Sequence, residues 1–197
     1  MKGFIIAALI LAALTTNAQK IQPLTHVEST AEVKPGEAII YGSFLQRLTF
    51  WQNGYGQNIR IRNIKTKEMF LFEVKPALRT RRENTFCFYI PPGTYEILSY
   101  YYSKAKWYGT QGNLSPVFKN IDFEVNLKNK VDSGLIKVED LHRISFTVES
   151  GVVTYLGRWH FDSGPVSFSD DKATLDKKIQ PDFYFIQFNN AVTVIPD

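Results

Sequence analysis

The amino-acid sequence predicts an all-β fold, an antiparallel β-sandwich with one short helix near residues 170–179. Roughly ten to twelve segments rich in β-branched and aromatic residues follow one another at short spacing. In several of them apolar and polar residues alternate, which is the period of a strand with one buried face. Turns that contain glycine or proline separate the segments, as in most sandwiches and barrels.

The first predicted strands lie in the second fifth of the chain. Residues 38–44 have a strand composition. In 58–64 isoleucine and arginine alternate, so one face of this strand is apolar and the other is charged. Residues 68–74 are apolar on both faces, as expected for a central strand. The connection 65–67 is short enough to make a hairpin of the last two strands.

Two prolines and a glycine interrupt the next run of strand-forming residues. Residues 86–90 and 94–98 both show a two-residue period, and Pro91, Pro92 and Gly93 lie between them. Pro91 cannot donate a hydrogen bond to a sheet, Pro92 has a fixed φ angle, and Gly93 can adopt a positive φ. We therefore predict a turn that joins two antiparallel strands.

The second half of the chain contains further strands and the predicted helix. Residues 121–127 and 144–148 alternate between apolar and polar side chains, and a tight turn is predicted at 149–151. Segment 169–179 differs, because its polar start, early acids and late lysines complement a helix dipole, and Pro181 would end the helix. The remaining predicted strands are 135–138, 152–156, 158–161, 165–168, 183–188 and 192–195.

Residues 1–18 have the three parts of a cleaved secretory signal. A lysine lies near the start, an apolar run covers 4–14, and 16–18 supplies the small residues of a cleavage site. The apolar run is too short to span a bilayer. Gln19 stands where lipid attachment would require a cysteine. We therefore expect a periplasmic or extracellular protein that begins at Gln19 and has no transmembrane helix.

The remaining length fits one domain. We expect a leader at 19–36 and a single β-sandwich domain at 37–197. Cys87 is the one cysteine, so no intrachain disulfide can form and the fold depends on apolar packing. The aromatic neighbours of Cys87 predict a small buried side chain, and a nucleophile or an intermolecular bridge is the alternative.

The charge of the chain gives no support for nucleic-acid binding. The net charge is +4, and it falls to +3 when Lys2 leaves with the signal. The densest basic cluster consists of Arg79, Arg81 and Arg82, which we interpret as a solvated loop. A contact with a phosphate or an anionic glycan is the alternative for this cluster.

Two motifs carry a resemblance to a known group of domains. The residues Pro-Pro-Gly-Thr-Tyr at 91–95 are followed by Phe-Thr-Val-Glu-Ser-Gly-Val-Val-Thr-Tyr-Leu-Gly at 146–157. This pair resembles uncharacterised exported bacterial domains that combine a PPGTY hairpin with a later hairpin of the second pattern. The first motif is also similar to the turn of carboxypeptidase-regulatory-like and transthyretin-like (prealbumin-like) domains. The resemblance implies a transthyretin-like sandwich in exported or envelope proteins, and it supplies no catalytic residues.

Motifs for catalysis are missing from the sequence. No Gly-x-Ser-x-Gly elbow, Walker loop or dinucleotide glycine pattern occurs. His160 and Asp162 are two positions apart in a predicted strand and can face the same way, but no third metal ligand lies nearby. We interpret His160 as structural and expect no metal, no cofactor and no enzymatic activity. The alternative is a metal-dependent hydrolase that uses this pair.

Aromatic residues are the candidate binding residues of this chain. One cluster contains Tyr102, Trp107 and Tyr108, and the other contains Trp51 and Tyr55. Neighbouring positions of a strand face opposite sides, so some of these rings should be exposed. Exposed Trp and Tyr suit stacking on sugars or a protein interface. The alternative is that the rings pack over a sheet face.

The sequence therefore favours a non-enzymatic exported protein that acts as a structural or interaction module of the cell envelope. A carbohydrate-binding module that uses the aromatic clusters is the first alternative. The expected partner is a protein or a glycan of the envelope, and neither nucleic acid nor a cofactor is expected.

Overall fold

The computed structural model describes residues 20–28, 33, 35–47, 55–77, 81–107, 109–123 and 125–197. Their strands are β1 (Ile21–Pro23), β2 (Thr25–His26), β3 (Ala38–Gln46), β4 (Gly56–Asn63), β5 (Met69–Lys75), β6 (Glu83–Ile90), β7 (Gly93–Lys106), β8 (Gly109–Pro116), β9 (Ser145–Val148), β10 (Val153–Phe161), β11 (Ser167–Ser169) and β12 (Val192–Thr193). The α-helices are α1 (Leu127–Asp132) and α2 (Lys172–Ile179), and the 3-10 turns are Val138–Asp140, Gln180–Asp182 and Phe188–Asn190.

These strands form two mixed sheets, which confirms the prediction of a mostly β-structured chain. Sheet 1 has the order β1-β5-β4-β7-β8, and β9 pairs with β7 next to β8. Sheet 2 has the order β11-β10-β3-β6-β2, and β12 pairs with β10 next to β11. No helix within the described residues has the length and apolar character needed to cross a membrane.

The expectation of purely antiparallel sheets is wrong. β10 runs parallel to β3, and β1 and β12 run parallel to β5 and β10. A parallel pair requires a long crossover. The chain between β3 and β10 provides this crossover, with β4, β5, β7, β8 and β9 in sheet 1 and β6 in sheet 2. Side-chain alternation reports which face of a strand is buried and not the direction of its neighbour, so the sequence pattern could not show this pairing.

The proline–glycine turn connects the two sheets and does not form the predicted hairpin. β6 pairs with β3 and β2 in sheet 2, whereas β7 pairs with β4, β8 and β9 in sheet 1. Gly93 has φ +152°, and a Cβ there would lie 2.5 Å from Nδ2 of Asn63. The hydroxyl of Tyr95 donates to the carbonyl of Pro91 at 2.6 Å and fixes the crossing.

The second motif, at 146–157, also joins a strand of one sheet to a strand of the other. The turn at 149–151 joins β9 of sheet 1 to β10 of sheet 2, so this predicted hairpin is also wrong. By contrast, β4 and β5 form the expected antiparallel hairpin. The predicted leader supplies β1 and β2, which pair with β5 and β6 and so reach both sheets.

Three predicted strands are replaced by other structure. The end of 121–127 begins helix α1, whose first turn is capped by Oδ1 of Asn126, which accepts from the amide of Asn129 at 3.1 Å. The segments 135–138 and 183–188 form bends and parts of 3-10 turns. The predicted helix near 170–179 is confirmed as α2.

The main core lies between the two sheets. Trp159 of sheet 2 is fully buried and contacts Phe72 of sheet 1 edge-on, with ring centroids 5.8 Å apart. Its indole nitrogen donates to the carbonyl of Leu156 at 2.9 Å, so the buried donor is satisfied. Phe86 and Phe88 of β6 face this core, as the sequence predicted.

A second core covers the outer face of sheet 2. Tyr41 and Cys87 project from this face and pack beneath Leu175 of α2 and Phe188. The hydroxyl of Tyr41 donates to Oδ1 of Asp176 at 2.8 Å. Burial raises the pKa of the Cys87 thiol, and the prediction of a small buried side chain is confirmed.

Candidate binding groove

The hairpin of β7 and β8 forms one end of sheet 1. β7 is fourteen residues long, and from Ser99 onward its neighbour on one side is β8. A bulge beside Leu98 keeps Tyr100 and Tyr102 on the inner face, where Tyr95 and Ile97 also point. Without this extra residue the two tyrosines would turn away from the core.

A groove of about 950 Å³ lies between β8 and helix α1. The β8 wall combines Asn113 and Ser115 with Leu114 and Pro116, and apolar side chains form the floor and part of the α1 wall. The lining residues are Tyr102, Asn113, Leu114, Ser115, Pro116, Phe123, Val125, Asn126, Leu127, Lys128, Val131 and Asp132.

The floor of the groove is anchored to the main core. The ring of Phe123 contacts the rings of Tyr100 and Phe161, with centroids 5.1 and 5.5 Å away. The guanidinium of Arg47 lies 5.0 Å from the centroid of Phe123 and pairs with Asp122 at 3.4 Å. These contacts from β7, β10 and the end of β3 fix the chain that leads into α1, so the two walls keep their separation.

The aromatic part of the groove is supported from below by buried polar groups. The rings of Tyr55 and Tyr102 stack, with centroids 5.6 Å apart and an interplanar angle of 10°. The carbonyl of Tyr55 accepts a hydrogen bond from Nζ of Lys75 at 2.8 Å. Lys75 is fully buried, and its burial lowers the pKa of the ammonium while Glu73 opposes this shift. Gln57 of β4 donates to Gln46 of β3, so this buried pair links the two sheets.

The structure brings together part of the predicted aromatic site. Tyr102 lines the groove and Tyr55 stacks on it. Trp107 lies at the tip of the hairpin and is 97% exposed, which confirms that one predicted ring faces solvent. Trp51 and Tyr108 lie outside the described residues.

The α1 wall was missed by the sequence analysis, which predicted a strand there. The signals were present but short. Asn126 is a favourable cap, Leu127 and Val131 are four residues apart, and Lys128 and Asp132 form a pair at the same spacing, 3.4 Å apart. A six-residue helix gives too few repeats of the helical period to outweigh the alternation that precedes it.

The predicted histidine pair lies at the end of β10. Nε2 of His160 lies 2.8 Å from Oγ of Ser169, and its Nδ1 lies 3.8 Å from Oδ1 of Asp162. Asp162 also accepts from Arg82 at 2.7 Å. Within the described residues, no group of three or more His, Cys, Asp or Glu side chains is arranged to hold a metal ion.

The lining of the groove suits binding. It offers aromatic and aliphatic surface, amide and hydroxyl groups, one ammonium and one carboxylate, and no histidine or cysteine. Asn113 donates to Oγ of Ser115 at 3.3 Å. The arrangement can hold a ligand by apolar contact and hydrogen bonds.

Comparison with known proteins gives one weak match. No protein-family model and no curated protein matches this chain. The crystal structure of a leucine-rich repeat protein from Bacteroides thetaiotaomicron matches with a TM-score of 0.37 and 12% sequence identity. The match covers 75% of this chain and 16% of that one. Neither fold nor activity is inferred from this likeness.

Proposed function

We propose that this chain is an exported, non-enzymatic interaction module of the cell envelope, and that its ligand occupies the groove between β8 and α1. The observation that carries the proposal is a groove with an anchored aromatic floor next to β8, the strand that ends the order of sheet 1 within the described residues. Its volume of about 950 Å³ is at the upper end of typical ligand sites, which span about 300–1,000 Å³.

Export is supported by the lysine, the apolar run and the small residues of 1–18. Expression with this segment in a bacterial host, followed by N-terminal sequencing of the released protein, tests it. The expected first residue of the released protein is Gln19. A protein that keeps Met1 and stays in the cytoplasm would contradict the proposal of export. The transthyretin-like assignment is supported by the PPGTY motif at 91–95 and by two packed sheets, and it remains a prediction.

The binding role is tested by two matched substitutions. Val131→Arg places a long cation in the groove, and Val138→Arg places the same side chain at a position that is 68% exposed and outside the groove. A random heptapeptide library and a glycan array serve as probes. We expect retained ligands whose affinity falls at least about tenfold in Val131→Arg and less than about twofold in Val138→Arg. The proposal fails if neither probe is retained or if both variants behave alike.

Glycan binding is the second candidate, favoured by the 97% exposure of Trp107 at the hairpin tip and by Asn113 and Asn126 in the groove. Sugars bind proteins through stacked aromatic rings and amide hydrogen bonds. A glycan array probed with wild type and with Trp107→Ala tests it. Loss of every signal in the variant is expected, and unchanged signals or a blank array would end this candidate.

A further inference from the structure

The segment 20–28 lies at one edge of both sheets. Within the described residues, β1 runs parallel to β5 and ends the order of sheet 1, and β2 runs antiparallel to β6 and ends the order of sheet 2. The amide of Leu24, between the two strands, donates to the carbonyl of Leu71 at 2.8 Å. The amide of Val27 donates to the carbonyl of Cys87 at 3.2 Å. One short segment therefore covers an edge of each sheet.

The same segment contributes to both cores. Leu24 belongs to the main core, and Val27 belongs to the core on the outer face of sheet 2. Backbone pairing and two buried side chains thus hold residues 21–27 in place. Lys20 is exposed and lies outside any strand. The strand that covers β5 therefore begins directly after an exposed residue.

Removal of the signal would create a new amine close to β1. The expected first residue, Gln19, is followed by Lys20 and then by Ile21, the first residue of β1. Ile21 is the partner of Met69 in β5. An aminopeptidase that removed Gln19, Lys20 and Ile21 would therefore shorten the strand that covers this edge of sheet 1.

An N-terminal glutamine can react with itself. Its deprotonated α-amine attacks the side-chain carbonyl carbon Cδ, a bond forms between this nitrogen and Cδ, the bond from Cδ to Nε2 breaks, and one molecule of ammonia leaves. The product is a five-membered lactam, pyroglutamate, and the step needs no oxidant, reductant or second substrate. Amine and carbonyl belong to one residue, which replaces a bimolecular encounter. The α-amine has a pKa of about 7.7–8.0, so part of it is deprotonated at neutral pH.

This reaction selects Gln19 over the next glutamine of the segment. Gln22 lies inside β1, and its backbone nitrogen is part of a peptide bond, whose resonance removes the basic lone pair. The nitrogen of Gln19 is in the same state until the signal is cleaved. Cleavage at this site therefore produces the amine that the ring requires.

We infer that the exported chain carries a pyroglutamate ring at position 19, two residues before β1 begins. The inference rests on the proposed export of the chain. The ring removes the charge of the N-terminus and leaves no free amine for an aminopeptidase to bind. It therefore protects the strand that covers β5.

The test uses the whole precursor, expressed with residues 1–18 in a bacterial host. The released protein is kept at neutral pH for several days, unfolded and digested after glutamate, which yields residues 19–28 as one peptide. Mass spectrometry identifies this peptide, because the ring blocks stepwise chemical sequencing. We expect a mass that is lower by one ammonia than that of the unmodified peptide. Fragment ions should place the loss at Gln19 and show an intact amide at Gln22.

The matched control is Gln19→Asn, whose shorter side chain would have to form a strained four-membered ring and therefore keeps its amine free. Incubated with a broad-specificity aminopeptidase, this variant should lose its first residue and Lys20. Any further trimming should end at Gln22, because such enzymes do not cleave the bond before a proline, here Pro23. Wild type should keep its length, and treatment with a pyroglutamyl peptidase should make it susceptible.

The possible failures of the inference and of the export proposal differ in their results. A released chain that begins at Gln19 and keeps its full mass overturns the ring and leaves export standing. Equal resistance of wild type and Gln19→Asn would show that the pairing of β1 protects this end, and would overturn the protective role of the ring. A released chain that begins at another residue overturns the inference and the cleavage site, and a precursor that stays in the cytoplasm overturns export as well.

Discussion

β8 and β9 lie on the same side of β7, and within the described residues only β9 has a further segment paired to its outer side. The tail at 192–197 pairs with Tyr155 in sheet 2 and with Ser145 in β9, so it closes the side between the sheets at that end. No described segment closes the other end beside β8. Within the described residues, short segments therefore cover or form the other sheet edges, and the edge of β8 lies next to a groove.

The core beneath β9, whose outer side pairs with the C-terminal tail, should contribute most of the free energy of unfolding. Phe146 of β9 is 3% exposed and stacks on Tyr95 with centroids 5.7 Å apart. Phe146→Ala removes this ring and leaves a cavity, so we expect the free energy of unfolding to fall by about 3–5 kcal/mol. Chemical denaturation measures it. The matched change at the open edge, Leu114→Ala, should cost less than about 0.5 kcal/mol; equal losses would erase the contrast between the edges.

Opening the closed edge should make it resemble β8. A variant that ends at Ala191 loses β12 and the pairing of Asp197 with Ser145. We expect the free energy of unfolding to fall by about 2 kcal/mol and self-association to rise, because backbone groups of β9 and β10 become uncovered. Denaturation and analytical ultracentrifugation measure these effects. The control Asp197→Ala keeps the backbone pairing and should stay monomeric. If the truncated chain is as stable as the full chain, the tail does not stabilise the edge of β9.

Alkaline pH should lower the stability of the core that contains Tyr95 and Tyr155. Burial raises the pKa of Tyr95 and of Tyr155 to about 12. In the unfolded chain tyrosine ionises near about pH 10, so this stabilisation is complete below that pH and is lost as the pH rises toward about 12. Melting temperatures at increasing pH should fall less steeply in Tyr95→Phe. Tyr184→Phe alters an exposed ring and should follow wild type, and parallel curves for all three proteins would refute the assignment.

The smallest effect is expected at the α1 wall. Lys128 and Asp132 are exposed and 3.4 Å apart. Lys128→Ala should lower the free energy of unfolding by less than about 0.5 kcal/mol, since exposed pairs contribute little. Chemical denaturation measures it, and Lys137→Ala, at another exposed lysine, serves as the control. A loss above about 1 kcal/mol in Lys128→Ala alone would show that this exposed pair contributes more than such pairs usually do.

The sequence predicted which faces are buried better than which strands are neighbours. Phe86 and Phe88 alternate with Cys87, and both faces of β6 are buried as this pattern indicates. The same alternation continues on either side of the turn at 91–93, whether the next strand pairs with β6 or crosses to the other sheet. Contacts between residues far apart in the sequence decide between these outcomes. The local sequence pattern therefore could not show that the predicted hairpin is wrong.

The candidate site was predictable in part for the same reason. Tyr102 and Trp107 were identified because neighbouring aromatic residues cannot all face one side of a strand. Phe123 and Val131 belong to the groove through the packing of the segment before α1 on β7 and β10. That packing joins residues far apart in the chain, and no local period records it.

Amide hydrogen exchange of the free protein tests the central contrast most directly. In the ladder of β7 and β8, hydrogen-bonded pairs alternate with non-bonded pairs, and Thr110, Gly112 and Leu114 belong to the non-bonded ones. The amides of Thr110, Gly112 and Leu114 should exchange as rapidly as exposed backbone, whereas those of Asn113 and Ser145 should be protected. Protection of Thr110, Gly112 and Leu114 before any ligand is added would contradict the account, because β8 would then already be covered.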